Sequence, residues 1–445
     1  MSGTARVLAA ASLLFGLAAC GDSGGVGGQQ AATQAPQKSS ETVTLKYWTW
    51  FPPEATLKET ISAFEQANPG IKVELREFEA ADYQKQLPLA LNGGEALDVV
   101  GVQVSAMTNT VKDQVRPVAE WESQLGADWR AKLNETMVGQ TEKIAKDGKL
   151  YSLPMGSIGS AIMYSNATLL GKLGTPFPKT AADLETVVAK AKKELPDVQP
   201  IVFSGEPWWQ EEMLFTIAGQ TAPTLSDDVF SGQKPWNSPE MVSALTAYKS
   251  LFDKNTVAKS VLSLKGNRPA ELFGSGKALF LVDGSWQSSM LSDAYRKANK
   301  ISLTDVGAGP FPVIAPGGQP AARGLAEGGL AIPKSSAHVT EAARFIQFMT
   351  MGDGVAIWSK DLVLVPSLKG FEVDPSVLTT PAAKEGYAAV QAVISAGGSA
   401  RDSNQAFLNQ VEGNAILDVL RRQATPEKAA DKLQKEWSSG RYDTK

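Results

Sequence analysis

Residues 43–78 read VTLKYWTWFPPEATLKETISAFEQANPGIKVELREF, which predicts a strand, then a helix, then a second strand. The outer segments carry β-branched and aromatic residues or alternate apolar with charged residues, as half-buried strands do. Between them, Leu57, Ile61 and Phe64 recur at the spacing of one helix face, and Asn68-Pro69-Gly70 ends the helix. Two strands joined through a helix pair in parallel, so this stretch indicates a parallel β-sheet.

The alternation of helix and strand signals continues along the chain. Three helices are predicted by a capping residue followed by an apolar stripe, and they begin at Thr180, Ser238 and Thr425. Short apolar strands fall between them, at Ile201–Phe203, Ala278–Val282 and Gly329–Pro333. The sequence therefore predicts the α/β fold class.

Length and composition limit the classes of protein that fit. The chain has 445 residues, of which 43% are hydrophobic. Most of the 445 residues have a composition typical of globular proteins. That length exceeds what one hydrophobic core usually supports, so we expect two domains. The net charge of −4 argues against a nucleic-acid partner, because a nucleic-acid surface needs an excess of basic residues.

The amino-terminal residues have the three parts of a secretion signal. Arg6 precedes an apolar run that is too short to span a bilayer, since a spanning helix needs roughly 20 apolar residues. Leu17–Gly21, LAACG, resembles a bacterial lipobox, and it contains the only cysteine of the chain. We expect residues 1–19 to be a lipoprotein signal peptide, Cys20 to carry a lipid anchor, and residues 20–41 to form a flexible tether. An ordinary signal peptide with an incidental cysteine is the alternative.

Several kinds of catalytic site lack the residues they need. His338 is the only histidine, so a Ser-His-Asp system would depend on it alone and a histidine-ligated metal site cannot be assembled. No P-loop motif occurs. We expect no cofactor and no metal. A pair of carboxylates for glycoside hydrolysis stays open, because the two partners need no sequence proximity and Asp and Glu number 47.

Tryptophans follow three predicted strands at the point where each strand ends. They are Trp48 and Trp50, Trp208 and Trp209, and Trp286. In an open α/β sheet, ligands bind at the carboxyl ends of the strands. An indole face suits the apolar face of a pyranose ring, so the tryptophans together suggest a sugar-binding cleft. Any one of them taken alone is explained as well by packing in the core.

Four blocks of the chain resemble, in order, the extracellular solute-binding proteins of family 1, the maltose-binding-protein-like receptors of ABC importers. The blocks are VTLKYWTW…FEQANPGIKVELREFEAADYQKQLPLALNGGEALDVV (residues 43–100), GKLYSLPMGSIGSAIMYSNATLLGKLG (148–174), FGSGKALFLVDGSWQSSML (273–291) and GGLAIPKSSAHVTEAARFIQFMTMGDGVAIW (328–358). The resemblance covers nearly the whole chain after the tether.

The resemblance implies a type II periplasmic-binding-protein-like fold, with two α/β lobes and a ligand cleft between them. The chain would cross the hinge three times, near 156–160, 309–313 and 349–352. Residues 42–156 with 311–348 would form the N-terminal lobe, and residues 157–310 with 349–445 the C-terminal lobe.

The resemblance also implies which residues line the cleft. The matching positions are Trp48, Trp50, Gln103, Ser105, Glu206, Trp208 and Trp286, with Trp209, Glu327 and Gly328 as weaker candidates. The chain has Pro52 and Ile158 where maltose-binding protein has carboxylates. We therefore expect a saccharide ligand that need not be maltose.

The resemblance implies a monomeric, non-catalytic receptor that captures a sugar by lobe closure and delivers it to the transmembrane subunits of an ABC permease. It would be exported and lipid-anchored to the outer face of the bacterial cytoplasmic membrane. One alternative keeps the fold but binds a polyamine or a glycerophosphate, and Arg323 and Arg401, expected in loops, could hold a phosphate. A second alternative is an exported glycosidase.

Overall fold

The computed structural model describes residues 42–396 and 411–441. The predicted signal peptide, the lipidation site Cys20, the tether of residues 20–41 and Arg401 lie outside the described residues. Within the described part, no helix is long and apolar enough to cross a membrane.

Among the described residues, ten strands form two mixed sheets, as expected for the α/β class. The strands are β1 (Val43–Thr49), β2 (Ile71–Glu77), β3 (Val99–Val102), β4 (Leu153–Ser160), β5 (Ile162–Asn166), β6 (Gln199–Val202), β7 (Ala278–Asp283), β8 (Val306–Pro310), β9 (Arg323–Ala331) and β10 (Val365–Pro366). One sheet has the order β10-β4-β9-β3-β1-β2 and the other has the order β6-β7-β5-β8.

The helices cover the faces of both sheets. They are α1 (Glu54–Ala67), α2 (Ala80–Asn92), α3 (Ala106–Val111), α4 (Trp129–Lys132), α5 (Glu135–Ile144), α6 (Ala167–Leu173), α7 (Ala181–Glu194), α8 (Pro207–Gly219), α9 (Leu225–Phe230), α10 (Pro239–Asp253), α11 (Arg268–Gly274), α12 (Asp293–Ala298), α13 (Val339–Met351), α14 (Gly354–Trp358), α15 (Pro381–Ala396), α16 (Gly413–Leu420) and α17 (Pro426–Trp437).

The first strand, helix and strand form as the sequence predicts. β1 and β2 pair in parallel with Val43 opposite Ile71, and α1 buries Leu57 and Phe64. The predicted helix starts are confirmed as well. Thr180 forms a capping box with Asp183, and the side chains of Ser238 and Thr425 accept backbone N–H groups at the starts of α10 and α17.

Each sheet has its own hydrophobic core. Leu45, Tyr47 and Phe345 belong to a cluster under the six-stranded sheet, and Phe203, Met213 and Phe280 belong to a cluster under the four-stranded sheet. Burial of apolar surface is the dominant favourable contribution to folding, so two cores make two compact lobes.

The chain passes between the sheets at three places. Ala161 separates β4 from β5, and residues 311–322 connect β8 to β9. This second connection is held against the carboxyl end of α8 by Gln220. The first passage therefore lies just beyond the predicted segment 156–160, and the second overlaps the predicted segment 309–313.

The third passage differs from the prediction, which put it near Met349–Gly352 and gave residues 349–445 to the C-terminal lobe. α14 packs on α1, and β10 pairs with β4 in the six-stranded sheet. Phe371 still packs against the core of that sheet, whereas Val377 packs against residues of the four-stranded sheet. Backbone pairing keeps the chain on the first sheet to Pro366, beyond the predicted crossing.

Candidate functional site

Trp50 lies at the carboxyl end of the six-stranded sheet, where strand-end tryptophans were expected. Its half-buried ring stacks at a tilt on Tyr83, with 5.2 Å between the ring centroids. A Cβ added to Gly101 would lie 3.0 Å from the Trp50 ring, so glycine at this position lets the ring approach the strand. The Tyr83 hydroxyl donates to Gly101 O at 2.7 Å and so fastens this edge of the sheet. Trp50 therefore stands on a rigid support.

Trp48 is engaged by neighbours of its own lobe. Its ring centroid lies 4.9 Å from that of Phe78 and 4.7 Å from the guanidinium carbon of Arg76. A cation over an indole is a favourable contact, and here it covers part of the Trp48 ring. We therefore interpret Trp48 as a packing residue next to Trp50.

Gln103 and Ser105 form a small polar group after β3. The Gln103 side-chain oxygen accepts from Ser105 Oγ and from Gln84 Nε2, each at 3.2 Å. Ser105 also caps α3 by accepting from Met107 N at 3.3 Å. Gln84 and Gln103 line a cavity of about 90 Å³ together with Met107. These amide and hydroxyl groups hold one another in fixed orientations.

The second group of rings belongs to the four-stranded sheet. Trp208 contacts Trp209 edge-on with 5.5 Å between centroids, and Trp209 contacts Trp286 in the same way at 6.2 Å. Trp208 is 38% exposed, whereas Trp209 is 1% exposed and belongs to the hydrophobic core. Trp209 therefore supports the two rings on either side of it.

Glu206 lies at the N-cap position of α8, and its side chain bonds to the neighbouring loops instead of to the helix backbone. Its carboxylate accepts from Ser204 Oγ and from Gly266 N, each at 3.1 Å. Gly205 presses against the backbone of Leu262, where a Cβ would lie 2.3 Å from the carbonyl oxygen. The close approach of these two loops holds Glu206 beside the exposed Trp208.

Trp286 is the indole that touches both halves of the molecule. Its half-buried ring packs against the core of the four-stranded sheet and against the core of the six-stranded sheet. The adjacent Ser285 Oγ accepts from Gly159 N on β4 at 3.0 Å. The turn after β7 is thus fastened beside the passage from β4 to β5.

Glu327 and Gly328 lie in the interior of β9. Glu327 is 4% exposed and opposite Gly156 of β4. Gly328 has φ +65°, and a Cβ there would lie 3.7 Å from the Phe51 ring. The positive φ favours glycine at this position, and the residue sits next to the segment that follows Trp50.

Arg323 is not a loop residue, which corrects the expectation from sequence. It is the first residue of β9 and is 4% exposed, with its guanidinium bound to Glu211 and 3.4 Å from Glu212 of α8. Burial alone would lower the pKa of Arg323, but the two carboxylates raise it. The guanidinium also donates to Ser226 Oγ at 3.2 Å.

A third carboxyl group, Glu412, faces the same cluster. Burial and the neighbouring Glu211 raise its pKa well above the usual range. Neither of its oxygens has a hydrogen-bond partner in the part of the chain that the structure describes. Sequence reasoning missed this cluster, because α8 is apolar on nearly every side and its two glutamates gave no spacing signal.

No group of three or more His, Cys, Asp or Glu side chains among the described residues could hold a metal ion. The sequence prediction also passed over Asp283, which ends β7 directly before Gly284. The aspartate is visible in the stretch LVDGSW, but the sequence prediction considered only the tryptophan there.

Comparison with known proteins agrees with this architecture. The family model for bacterial extracellular solute-binding proteins matches residues 59–385. An uncharacterized ABC transporter extracellular-binding protein of Pyrococcus horikoshii is 22% identical over 370 residues, with 80% of each chain covered. The multiple sugar-binding protein of Streptococcus mutans is 24% identical over 336 residues, covering 72% of this chain and 73% of that protein.

A solved structure, maltose-bound MalE3 of T. maritima, has the same fold. It matches with a TM-score of 0.68 at 20% identity, covering 89% of this chain and 99% of the other. At this identity the likeness concerns the fold alone, and it confirms the predicted two-lobed α/β fold.

Proposed function

The chain belongs to the bacterial extracellular solute-binding proteins, and we propose that it is the receptor of an ABC importer and binds a sugar or oligosaccharide between its lobes. The observation that carries the proposal is the place of Trp286. This indole comes from the four-stranded sheet, yet it also packs against the core of the six-stranded sheet. A pyranose stacked on it lies within reach of both lobes.

We divide the chain into lobes by its strand pairing. Residues 42–160 and 323–371 make the N-terminal lobe, and residues 162–310, 373–396 and 411–441 make the C-terminal lobe. This division keeps the predicted order of segments but moves the third crossing past Phe371. It is supported by the pairing of β10 with β4 and by the membership of the two hydrophobic cores.

The ligand site in this proposal combines two surfaces. Trp50, Gln103 and Ser105 lie at the carboxyl end of the first sheet, with Glu327 and Gly328 behind them, while Glu206, Trp208 and Trp286 come from the second lobe. Trp48 and Trp209 support the neighbouring rings. Apolar ring faces stack on the indoles, and amide, hydroxyl and carboxylate groups pair with the sugar hydroxyls.

Capture follows from contacts made in one conformation only. A ligand that touches both lobes when they are closed, and one lobe when they are open, shifts the population toward the closed form. The closed form then docks on the permease. This cycle requires no bond to be made or broken, so we propose a non-catalytic, monomeric receptor without a cofactor or metal.

Membership of an extracellular family means that the protein is exported. We propose that residues 1–19 are removed as a signal peptide and that lipid on Cys20 holds the receptor to the outer face of the cytoplasmic membrane. Two or more acyl chains anchor a protein stably, whereas one chain does not.

The alternative ligands have less support. A glycerophosphate needs a cation that is free to bind it, but Arg323 is buried and paired with Glu211 and Glu212. A polyamine would want several carboxylates around the indoles, and Glu206 and Glu327 are two candidates. Both ligand classes belong in the test beside the sugars.

The test is a thermal-shift screen of the full chain, purified in detergent so that any anchor is kept. Ligands are mono- and oligosaccharides, polyamines and glycerophosphates, and titration calorimetry follows each positive result. A ligand that binds only the folded form raises the unfolding midpoint. We expect a saccharide to do so. A rise with polyamine or glycerophosphate alone would replace the sugar assignment, and release of smaller sugars would show a glycosidase.

A further inference from the structure

We propose that Asp283 and Gly284 are positioning residues that fix the orientation of the Trp286 indole, and that this orientation sets the affinity for a stacked ligand ring. The second half of the proposal rests on the proposed function, whereas the first half concerns the unliganded protein. Neither residue is among the cleft residues that the resemblance implies.

Gly284 provides the space in which the indole lies. A Cβ added at this position would come within 2.1 Å of Cζ3 and 2.2 Å of Cη2 of Trp286, far inside the distance that carbon atoms tolerate. The backbone of Gly284 has φ −81° and ψ 171°, which any residue adopts. Glycine is therefore required here by the indole and not by the backbone.

Asp283 holds the turn from the other side. Its Oδ1 accepts from Gly284 N at 2.8 Å, and its Oδ2 accepts from Gln287 Nε2 at 3.1 Å. One anionic group thus binds the backbone of Gly284 and the side chain of Gln287, which lie on either side of Trp286 in the turn. Hydrogen bonds to a charged acceptor are stronger than neutral ones, so the carboxylate stiffens the turn.

The remaining contacts leave the indole little freedom. Trp209 meets it edge-on, and both hydrophobic cores touch it. The Tyr164 hydroxyl binds Gly284 O and Ser288 Oγ, each at 3.0 Å. A platform held in place before the ligand arrives avoids the entropy cost of ordering it on binding.

The carboxylate also makes the platform sensitive to pH. Burial raises the pKa of Asp283 to about 6, although the hydrogen bonds from Gly284 N and Gln287 Nε2 lower it. Tyr164 of β5 is the titratable group that faces Asp283, and its own pKa is raised by burial, so it stays neutral. Among the described groups, no charged side chain contributes to the pKa of Asp283. Protonation near pH 6 removes the anionic acceptor and loosens the turn.

The first experiment needs no ligand. The indole N–H resonances of the full chain are followed by NMR with ¹⁵N-labelled tryptophan, and Trp286 is assigned by the signal lost in W286F. We expect the Trp286 resonance to titrate with a midpoint near pH 6 in the wild type and to be displaced and independent of pH in D283N. A resonance that ignores both pH and D283N would overturn the proposal.

The second experiment measures affinity for the best saccharide of the screen. G284A should weaken binding at least tenfold, and D283N severalfold, with the pH dependence of affinity lost in D283N. G139A is the matched control, because a Cβ at Gly139 on α5 meets no atom within 4 Å. Wild-type affinity in both G284A and D283N would refute the role in binding. A wild type that binds no saccharide would refute the proposed function instead, and the NMR titration would still decide the orientation of the indole.

Discussion

The side chain of Gln220 donates to Pro312 O at 2.9 Å, joining the carboxyl end of α8 to the connection between the two lobes. Its amide oxygen also accepts from Ile314 N and Ala315 N, at 2.9 and 3.0 Å. Gln220 is 3% exposed, so these backbone groups depend on it and not on water.

Removing the amide of Gln220 should therefore be costly. In Q220M, three buried backbone groups lose their partner, and we expect the free energy of unfolding to fall by about 2 to 4 kcal/mol. Urea unfolding followed by circular dichroism measures the change. Q66M, at an exposed position of α1, is the control and should change stability by less than about 0.5 kcal/mol. Equal stability of the two variants would show that the connection does not rely on Gln220.

The neighbouring indoles Trp286 and Trp209 should separate binding from stability. W286A is expected to abolish the ligand-induced rise of the unfolding midpoint while leaving the unliganded midpoint nearly unchanged, because the ring is only half-buried. W209A should lose about 3 to 5 kcal/mol of stability, since it empties a core position. Differential scanning calorimetry with and without ligand measures both. An equally large baseline loss in W286A would assign Trp286 to the core.

The buried ion cluster gives a second stability prediction. R323M leaves Glu211 and Glu212 buried without their cation, and we expect a loss of about 3 to 5 kcal/mol in the free energy of unfolding. R344M, at an exposed position of α13, should be nearly neutral. A small loss in R323M, measured by denaturant unfolding, would mean that water enters the cluster.

The raised pKa of Glu412 predicts how the free energy of unfolding changes with pH. Its pKa is raised in the folded protein, so the folded state binds the proton more tightly than the unfolded state does. The stability that this proton contributes is complete below the unfolded pKa of about 4.3 and is lost as pH rises toward the folded pKa. Wild type should therefore lose stability relative to E412Q as pH rises from about 5 to about 8. A difference that stays constant over this range would refute the raised pKa.

Cys20 predicts attachment to membranes. The wild-type chain should sediment with membranes and incorporate labelled fatty acid, and C20A should do neither, because the other signals in residues 1–41 supply no acyl chain. Fractionation of producing cells measures this. A C20A chain that stays membrane-bound to the same extent would favour an anchor other than lipid on the cysteine.

The sequence predicts best those strands and helices in which apolar residues recur at a single regular spacing. β1, α1 and β2 each bury one face, so alternation and helical spacing identify them. β9 was expected only as Gly329–Pro333, whereas it spans Arg323–Ala331 and is buried throughout. The strand is covered on both faces, and such strands usually read as continuous apolar runs. β9 does not, because it contains Arg323, Glu327 and three glycines.

The site shows the same limit at finer scale. Trp208 and Trp209 are neighbours in the chain, but one is 38% exposed and the other 1%. α8 is apolar around most of its circumference, so no periodicity tells which indole faces outward. The third crossing was misplaced because a tight bend after α13 looks locally like a passage between lobes. The pairing of β10 with β4, which the sequence does not reveal, shows that the chain is still part of the six-stranded sheet at Pro366.

The attachment of α8 has a mechanical consequence. The helix has 13 residues and is tied to the inter-lobe connection at its carboxyl end, while its amino end presents Glu206 and Trp208. At 1.5 Å per residue it makes a lever arm of about 20 Å. In the lobe closure that we propose, a rotation of about 10° around the tied end would carry Trp208 through an arc of about 3 Å.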